Sequence, residues 1–351
     1  MNRGLVQTLP DGPIDVVGDV HGELDALKAL MKELGYSADG LHPEQRRLVF
    51  VGDLCDRGPD SVGVIALVEQ MVKAGNAFAV LGNHEMNLLR SDAKDGSGWY
   101  FESRVKADER YQPFVVATEA QKVSIASFLS TLPLALERDD LRVVHAAWMP
   151  EHIEVARGNI DSQAHHVYDK HQNQVNIELR ADGRHQRYLD EKFEWKDLLE
   201  VEGAKVPVLH AIAEYDVACQ VGNPIKVLVS GVERKGLKPF FSSHKWRFVD
   251  RIQWWDEYDE AIPVIIGHYW RMTEPQDRES VGKGDPYLFH DVDPTAWHGL
   301  RNNVFCVDFS VGGRWRERKA QEKLGSRFKL GAMRWPEKEI VFDTGERQMT
   351  A

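Results

Sequence analysis

Five short apolar runs each deliver a polar, chemistry-bearing residue at their end, and this repetition constrains the chain more than any other feature. Ile14–Val17 runs into Gly18-Asp19-Val20-His21-Gly22, and Leu48–Val51 into Gly52-Asp53-Leu54-Cys55-Asp56-Arg57-Gly58. Phe78–Leu81 runs into Gly82-Asn83-His84-Glu85, Leu141–Val144 into His145, and Val264–Ile266 into Gly267-His268. Short runs of this kind, rich in β-branched residues, read as buried strands. Between the early ones lie helical patterns. Leu24, Leu27, Leu30, Met31 and Leu34 share one face of a helix over residues 23–34, and Val64, Ile65, Leu67, Val68 and Met71 do so over 61–73. Strand alternating with helix implies an α/β core with parallel pairs in its first half. In an open α/β sheet the carboxyl ends of the strands meet at one crevice. Asp, Asn and Gly are also ordinary turn formers, which would account for any one of these motifs but not for five together.

Other stretches break the rhythm. Residues 88–135 read as helix and loop, with a helix over 124–136 stopped at Pro133. Residues 150–222 are rich in charge, His and Gln and predict helices, one over 188–201. Both are expected to be lid or cap insertions on a single domain spanning 1–351. Lys226–Val229, Val304–Val307 and Glu339–Phe342 predict further strands. The chain carries 44 Lys+Arg against 55 Asp+Glu, a net charge of −11. That balance argues against general nucleic-acid binding, which needs clustered cations. Three scattered cysteines, Cys55, Cys219 and Cys306, make neither a disulfide framework nor a thiolate zinc site. No apolar run has the length of a signal peptide or a membrane span. The expectation is a cytoplasmic protein with no membrane partner.

The strand-end inventory suits metal. Asp19, His21, Asp53, Asn83, His145 and His268 offer oxygen and imidazole nitrogen and no thiolate, a donor set for Mn²⁺, Fe or Zn²⁺. Six ligands exceed what one tetrahedral ion uses, whereas two ions sharing a carboxylate, about 3.5–4 Å apart, use them well. His84 could then protonate a leaving oxygen with Asp56 orienting it, and Arg57 could grip phosphate through its guanidinium fork.

Taken together, the Gly18–Gly22, Gly52–Gly58 and Gly82–Glu85 motifs resemble the three signatures of the phosphoprotein-phosphatase branch of the calcineurin-like metallophosphoesterases, bacterial type. The likeness covers residues 14–148 well and about 225–313 loosely. It implies a four-layer αββα fold: a β-sandwich of two mixed sheets flanked by helices, here with helical insertions. It further implies that Asp19, His21 and Asp53 hold one divalent ion, and that Asp53 bridges to a second held by Asn83, His145 and His268. His84 and Asp56 become the proton-donor pair, and Arg57 with Asn83 the phosphate binders. Mn²⁺ is favoured, with Fe, Zn²⁺ or Ni²⁺ as alternatives. The attacking group implied is water, with no covalent phosphoenzyme. A second phosphate-binding arginine is expected upstream of His268. Arg251, Arg247 and Arg234 are candidates, with Arg251 favoured.

By the same likeness the expected activity is hydrolysis of phosphate monoesters, with a serine/threonine protein phosphatase as the nearest class. The alternative keeps the site and changes the substrate to a dinucleoside polyphosphate or another nucleotide. A non-catalytic scaffold is the remote reading, since every motif ligand is present. Arg90, Lys94, Arg104, Lys106 and Arg110 with Trp99, Tyr100 and Phe101 could wall a nucleotide pocket or form a solvated helix. His165, His166 and His171 read as surface residues, Trp254 and Trp255 as packing, and Cys55 as either a redox brake or a space-filler.

Overall fold

In the strand Ile14–Val17 all four residues are buried, because both of its faces are covered. Successive side chains alternate between faces. Ile14 and Val16 point into a core between two sheets, where they meet Val49, Leu141, Val143, Ile265 and Phe305. Val17 points outward with Leu48 and Phe50 against Leu27, Leu30, Val64 and Val68 of two covering helices. Asp15 shares that outer face and is fully buried, so it needs partners. Arg46 supplies a guanidinium at 2.8 Å, and the Tyr36 hydroxyl donates at 2.7 Å. The computed structural model describes residues 4–242, 245–274 and 286–351.

The two sheets are mixed. The first runs in the order Arg347–Met349, Glu339–Phe342, Gly331–Trp335, Ile14–Val17, Arg47–Phe50, Ala77–Ala79. Its last three strands are parallel. The second runs Val6–Thr8, Ala135–Arg138, Leu141–Val144, Val264–Ile266, Val304–Cys306, with Leu141–Val144 parallel to Val264–Ile266. The fold is therefore the expected pair of mixed sheets flanked by helices, and the five motif-bearing strand ends come from three adjacent parallel strands of the first sheet and two of the second. The helix Leu24–Leu34 ends at Gly35, whose φ of 94° is open to glycine without a Cβ penalty. The helix Ser61–Lys73 starts at Asp60, whose carboxylate accepts the Gly63 N–H at 2.7 Å.

Three expectations are corrected. Lys226–Val229 is not a strand but part of the helix Pro224–Ser230. Pro224 opens it, and the Asn223 side chain accepts the Lys226 N–H at 3.3 Å. The helix expected over 124–136 spans Glu119–Leu129, begun by a capping box from Thr118 to Gln121. The residues after Pro133 instead form the strand Ala135–Arg138. The helix expected over 188–201 is Arg184–Trp195.

The stretch 150–222 forms the helices Pro150–Gly158, Ala164–Ala181, Arg184–Trp195 and His210–Val221. A hairpin unannounced by the sequence, Glu233–Ser242 with Lys245–Arg251, leans on them: Phe248 and Val249 pack with Val206, Leu209 and Ile212. Among the described residues no helix is long and apolar enough to cross a membrane.

Candidate metal centre

Backbone geometry at the strand ends is unusual before any chemistry is considered. His21, Asp53, Asp56, Arg57, His268 and Trp270 all have φ between 47° and 74°. Left-handed conformations at non-glycine residues cost energy and persist where the surroundings enforce them. Here cross-links between the loops enforce them. The Asp53 carbonyl accepts the N–H groups of Val20 and His21 at 3.0 and 2.8 Å. The buried Glu85 carboxylate accepts from the N–H groups of Gly82, Asp53 and Leu54 at 2.8–2.9 Å. His268 donates its backbone N–H to the Asp19 carboxylate at 3.1 Å. Close approach also demands glycine: a Cβ at Gly82 would lie 2.2 Å from Asp53 Oδ1, and one at Gly267 2.1 Å from Asp19 Oδ1.

On this floor Asp53 is central. Its Oδ2 lies 3.4 Å from His145 Nε2, 3.8 Å from His84 Nε2 and 3.9 Å from His21 Nε2. Two buried triads result, His21/Asp53/His84 and Asp53/His145/His268, each with donor atoms within 4.8 Å of one another. Asp19 Oδ2 is 4.0 Å from His21 Nε2. Asn83 Oδ1 is 2.9 Å from His268 Nδ1 and 3.3 Å from His145 Nε2. The six expected ligands are thus brought together.

These residues fit divalent ions on their own chemistry. Nδ1 of His21 faces the Cys55 carbonyl at 3.0 Å and Nδ1 of His145 the Val51 carbonyl at 2.8 Å, which turns each Nε2 toward the cluster, where that of His21 is met by Arg57 at 2.7 Å. His268 Nε2 is buried with no hydrogen-bond partner. Charge is uncompensated too. Burial, then the Asp308 and Asp53 carboxylates, push Asp19 well above the usual carboxylate range. Burial also disfavours ionised Asp53, but the His145 and His84 imidazoles outweigh it and hold Asp53 well below that range. Burial, with Arg57 and His84 nearby, drives His21 well below its usual value.

His84 and Asp56, expected to act as a pair, lie in contact. His84 Nδ1 is 2.5 Å from Asp56 Oδ2, and the indole N–H of Trp99 donates to Asp56 Oδ1 at 2.6 Å. Burial pulls His84 down, but Asp53 and Asp56 outweigh it and raise its pKa. Arg57 reaches His21 Nε2 at 2.7 Å and lies 5.0 Å over the Trp270 ring.

A cavity of about 190 Å³ opens above Asp53, Asn83, His84 and His268, roofed by Arg57, Arg247, Arg251, Glu233, Phe240 and Trp270. Arg251 therefore reaches the site, and so does Arg247. Arg234 is not among its lining residues. A neighbouring cavity of about 630 Å³ shares Arg57, Asn83, His84 and Arg247.

A sequence profile described as calcineurin-like phosphoesterase matches residues 12–231, more than half of the chain. The chain belongs to that family.

Two relatives of this phosphoesterase are bis(5'-nucleosyl)-tetraphosphatases PrpE (asymmetrical). The protein of Oceanobacillus iheyensis is 49% identical over 80 residues, and that of Halalkalibacterium halodurans 52% identical over 81. Each match covers 22% of this chain and 32% of the relative, so it spans about a third of the relatives' length. Among solved structures, a cold-active protein-tyrosine phosphatase of a Shewanella species aligns over 98% of this phosphoesterase and 83% of its own chain, with TM-score 0.45 and 16% identity.

Sequence reasoning missed several residues of the phosphoesterase's site. Trp99 was weighed for a nucleotide wall but is buried as the partner of Asp56. Trp270 and Glu233 gave no signal. Trp254 and Trp255 are buried packing, as read, with the Trp254 indole N–H donating to the Ala146 carbonyl at 3.0 Å. Cys55 is buried, its thiol pointing at Glu85 Oε1 at 3.3 Å, and burial together with Asp56 and Glu85 pushes its pKa well up.

Proposed function

We propose that this phosphoesterase is a binuclear-metal-dependent hydrolase whose substrate is a nucleotide carrying linked phosphates, of the dinucleoside polyphosphate kind. The observation that carries the hydrolytic part is the pair of buried triads sharing Asp53 beneath a roof of arginines. Divalent ions bound there would polarise phosphoryl oxygens and lower the pKa of a shared water. In this reading Arg57 and Arg251 would neutralise the non-bridging oxygens and hold the phosphoryl group in line. His84, oriented through Nδ1 by Asp56, would give a proton to the departing oxygen.

The substrate part rests on the cavity's surroundings. The hairpin residues Lys245 and Arg247, with Lys94, Arg104 and Lys226, give the pocket beside the floor an excess of cations over Asp92, Asp95 and Glu200, and Tyr168 of the 150–222 stretch walls it. A pocket walled in this way suits a small anionic ligand. The names of the partial relatives point in the same direction. A serine/threonine protein phosphatase, the nearest class from motif likeness, gains no specific support from this arrangement. The test is a substrate panel on apoprotein reloaded with Mn²⁺, Zn²⁺, Fe²⁺ or Ni²⁺. Dinucleoside polyphosphates should exceed phosphoserine and phosphothreonine peptides in kcat/KM by orders of magnitude. Preference for phosphopeptides would overturn the substrate assignment, and inactivity with every metal would overturn the hydrolase.

A further inference from the structure

We infer that the compartment beside the metal floor is a second anion subsite, in which Lys226, Lys245 and Arg247 receive a phosphate remote from the one being cleaved. The inference deepens the nucleotide reading above and rests on it. It assigns recognition to a linear phosphate chain and places it on residues that the metal chemistry does not use.

The geometry is continuous. The cavity of about 630 Å³ sets Lys94, Arg104, Lys226, Lys245 and Arg247 against the fewer carboxylates of Asp92, Asp95 and Glu200, and it shares Arg57, Asn83 and His84 with the floor. Residues 245, 247, 249 and 251 alternate onto one face of the hairpin strand. Arg251 and Arg247 line the first cavity, and Arg247 and Lys245 the second. A row of cations, spaced about 7 Å per two residues, therefore leads from the metal floor into the side compartment. Lys226 faces the same space from the helix Pro224–Ser230, which Ile225, Val227 and Leu228 anchor in the core.

The cations are also unsatisfied. Elsewhere buried or half-buried arginines find carboxylates: Arg46 on Asp15, Arg90 on Asp169, Arg142 on Glu260, Arg314 on Asp343, all within 2.8 Å. Among the described residues no carboxylate lies within 4.0 Å of the charged nitrogens of Lys226, Lys245, Arg247 or Arg251, and Lys226 Nζ makes one long contact, 3.4 Å to the Cys219 carbonyl. Glu233 and Asp216, whose charges act on these cations, are themselves raised in pKa by burial. Burial lowers Lys226, Lys245 and Arg247, and for Lys245 the Arg247 charge adds to the fall. Desolvated like charges without partners oppose folding, and a multiply charged anion between them removes the penalty.

The test is calorimetric binding of inorganic tripolyphosphate and of orthophosphate to metal-free protein, in the wild type and in Lys245→Met, Lys226→Met and Glu233→Gln, with Lys73→Met as an exposed control. Each lost cation should lower the ratio of tripolyphosphate to orthophosphate affinity about tenfold, the worth of one charge-assisted hydrogen bond. Glu233→Gln should raise tripolyphosphate affinity, and Lys73→Met should leave the ratio alone. Lys245 sits at the rim, so Lys245→Met reports even where Lys226→Met fails to fold, and circular dichroism separates the two cases. An unchanged ratio in a folded Lys245→Met protein, or an equal fall in Lys73→Met, would overturn the subsite. Hydrolysis of an aryl phosphate by metal-loaded wild type is measured separately. Its absence would sink the hydrolase reading, while the tripolyphosphate isotherms would still decide the subsite.

Discussion

Asp56 is the most exposed to test of the proposed catalytic groups, because its two oxygens each have one partner. Oδ1 accepts the Trp99 indole N–H at 2.6 Å and Oδ2 faces His84 Nδ1 at 2.5 Å, and the residue is buried. Asparagine in its place has one acceptor oxygen for these two donors. Whichever way the amide turns, one buried N–H faces an NH₂ group. An unsatisfied buried donor costs about 1–3 kcal/mol. Trp99 is rigid in the core, so the amide oxygen goes to the indole and the loss falls on His84. At about 1.4 kcal/mol per factor of ten, kcat should drop roughly 5- to 150-fold. Asp56 also helps raise the His84 pKa against burial. Without it the protonated imidazole is lost at lower pH, and the basic limb of the rate profile moves down. The assay compares an alkyl phosphate, whose departing oxygen needs a proton, with a nitrophenyl phosphate, whose departing oxygen does not, while elemental analysis follows metal content. A larger fall for the alkyl ester at unchanged metal content is expected. Equal falls for both esters, or a rate within twofold of wild type, would refute the proton-donor assignment.

Other perturbations have definite outcomes. Asp53→Asn should abolish binding of both ions, since both triads use its carboxylate; two ions per chain by elemental analysis would contradict the bridge. Gly82→Ala places a Cβ 2.2 Å from Asp53 Oδ1 and should cost about 1–3 kcal/mol of stability together with metal affinity, read by denaturant melts and dialysis. Arg46→Met removes the closer of two guanidinium partners of the buried Asp15 carboxylate, leaving Arg334 at 3.2 Å and the Tyr36 hydroxyl, and should cost about 3 kcal/mol in the same melts; a cost under about 1 kcal/mol would show that Arg334 and Tyr36 suffice. Burial disfavours ionised Asp95, but Arg110 and the Tyr111 hydroxyl outweigh it and lower its pKa. A depressed carboxylate stabilises the fold above its unfolded pKa, about 3.9. The stability deficit of Asp95→Asn should therefore be full at neutral pH and vanish as pH falls below that value, and a pH-independent deficit would count against the ion pair.

The part of the fold that carries the metal floor was legible because it is local. Ile14–Val17, Leu141–Val144 and Val264–Ile266 are β-branched runs bounded by Gly or His, and their limits agree with the structure. The periodic runs ending at Leu34 and Lys73 are helices as read. Lys226–Val229 failed as a strand because Val227, Leu228 and Val229 are all buried, and a short apolar run buried all round has no period to read. The hairpin failed for the opposite reason. Glu233–Ser242 carries Glu, Arg, Lys, Gly and Pro, a poor strand composition by intrinsic preference. It exists because Phe248 and Val249 find Val206, Leu209 and Ile212 on an insertion distant in sequence. Trp99 likewise meets Asp56 across 43 residues, a pairing no local pattern announces.

The same division explains how one site can combine a fixed floor with a variable roof. The floor is stitched by hydrogen bonds between its loops. The Asp53 carbonyl joins the first loop to the second, the Glu85 carboxylate joins the second to the third, and Asp19 holds the loop of His268. Each link joins a backbone N–H of one loop to an acceptor on another, a carbonyl in one case and a buried carboxylate in the other two, so the strand ends are fixed to one another and not to the roof. The roof is held by apolar contacts between the hairpin and the helices, and its charged groups lack mutual pairs. Replacing Arg247 or Lys245 should therefore alter which phosphate compound binds while leaving the cross-links between the strand-end loops untouched. Replacing Glu85 with Gln should do the reverse. One of its two oxygens becomes an amide NH₂ facing backbone donors, so the second and third loops separate and metal affinity falls even though Glu85 holds no metal. Wild-type metal affinity in Glu85→Gln would show that the strands alone, rather than the links between their ends, position the ligands.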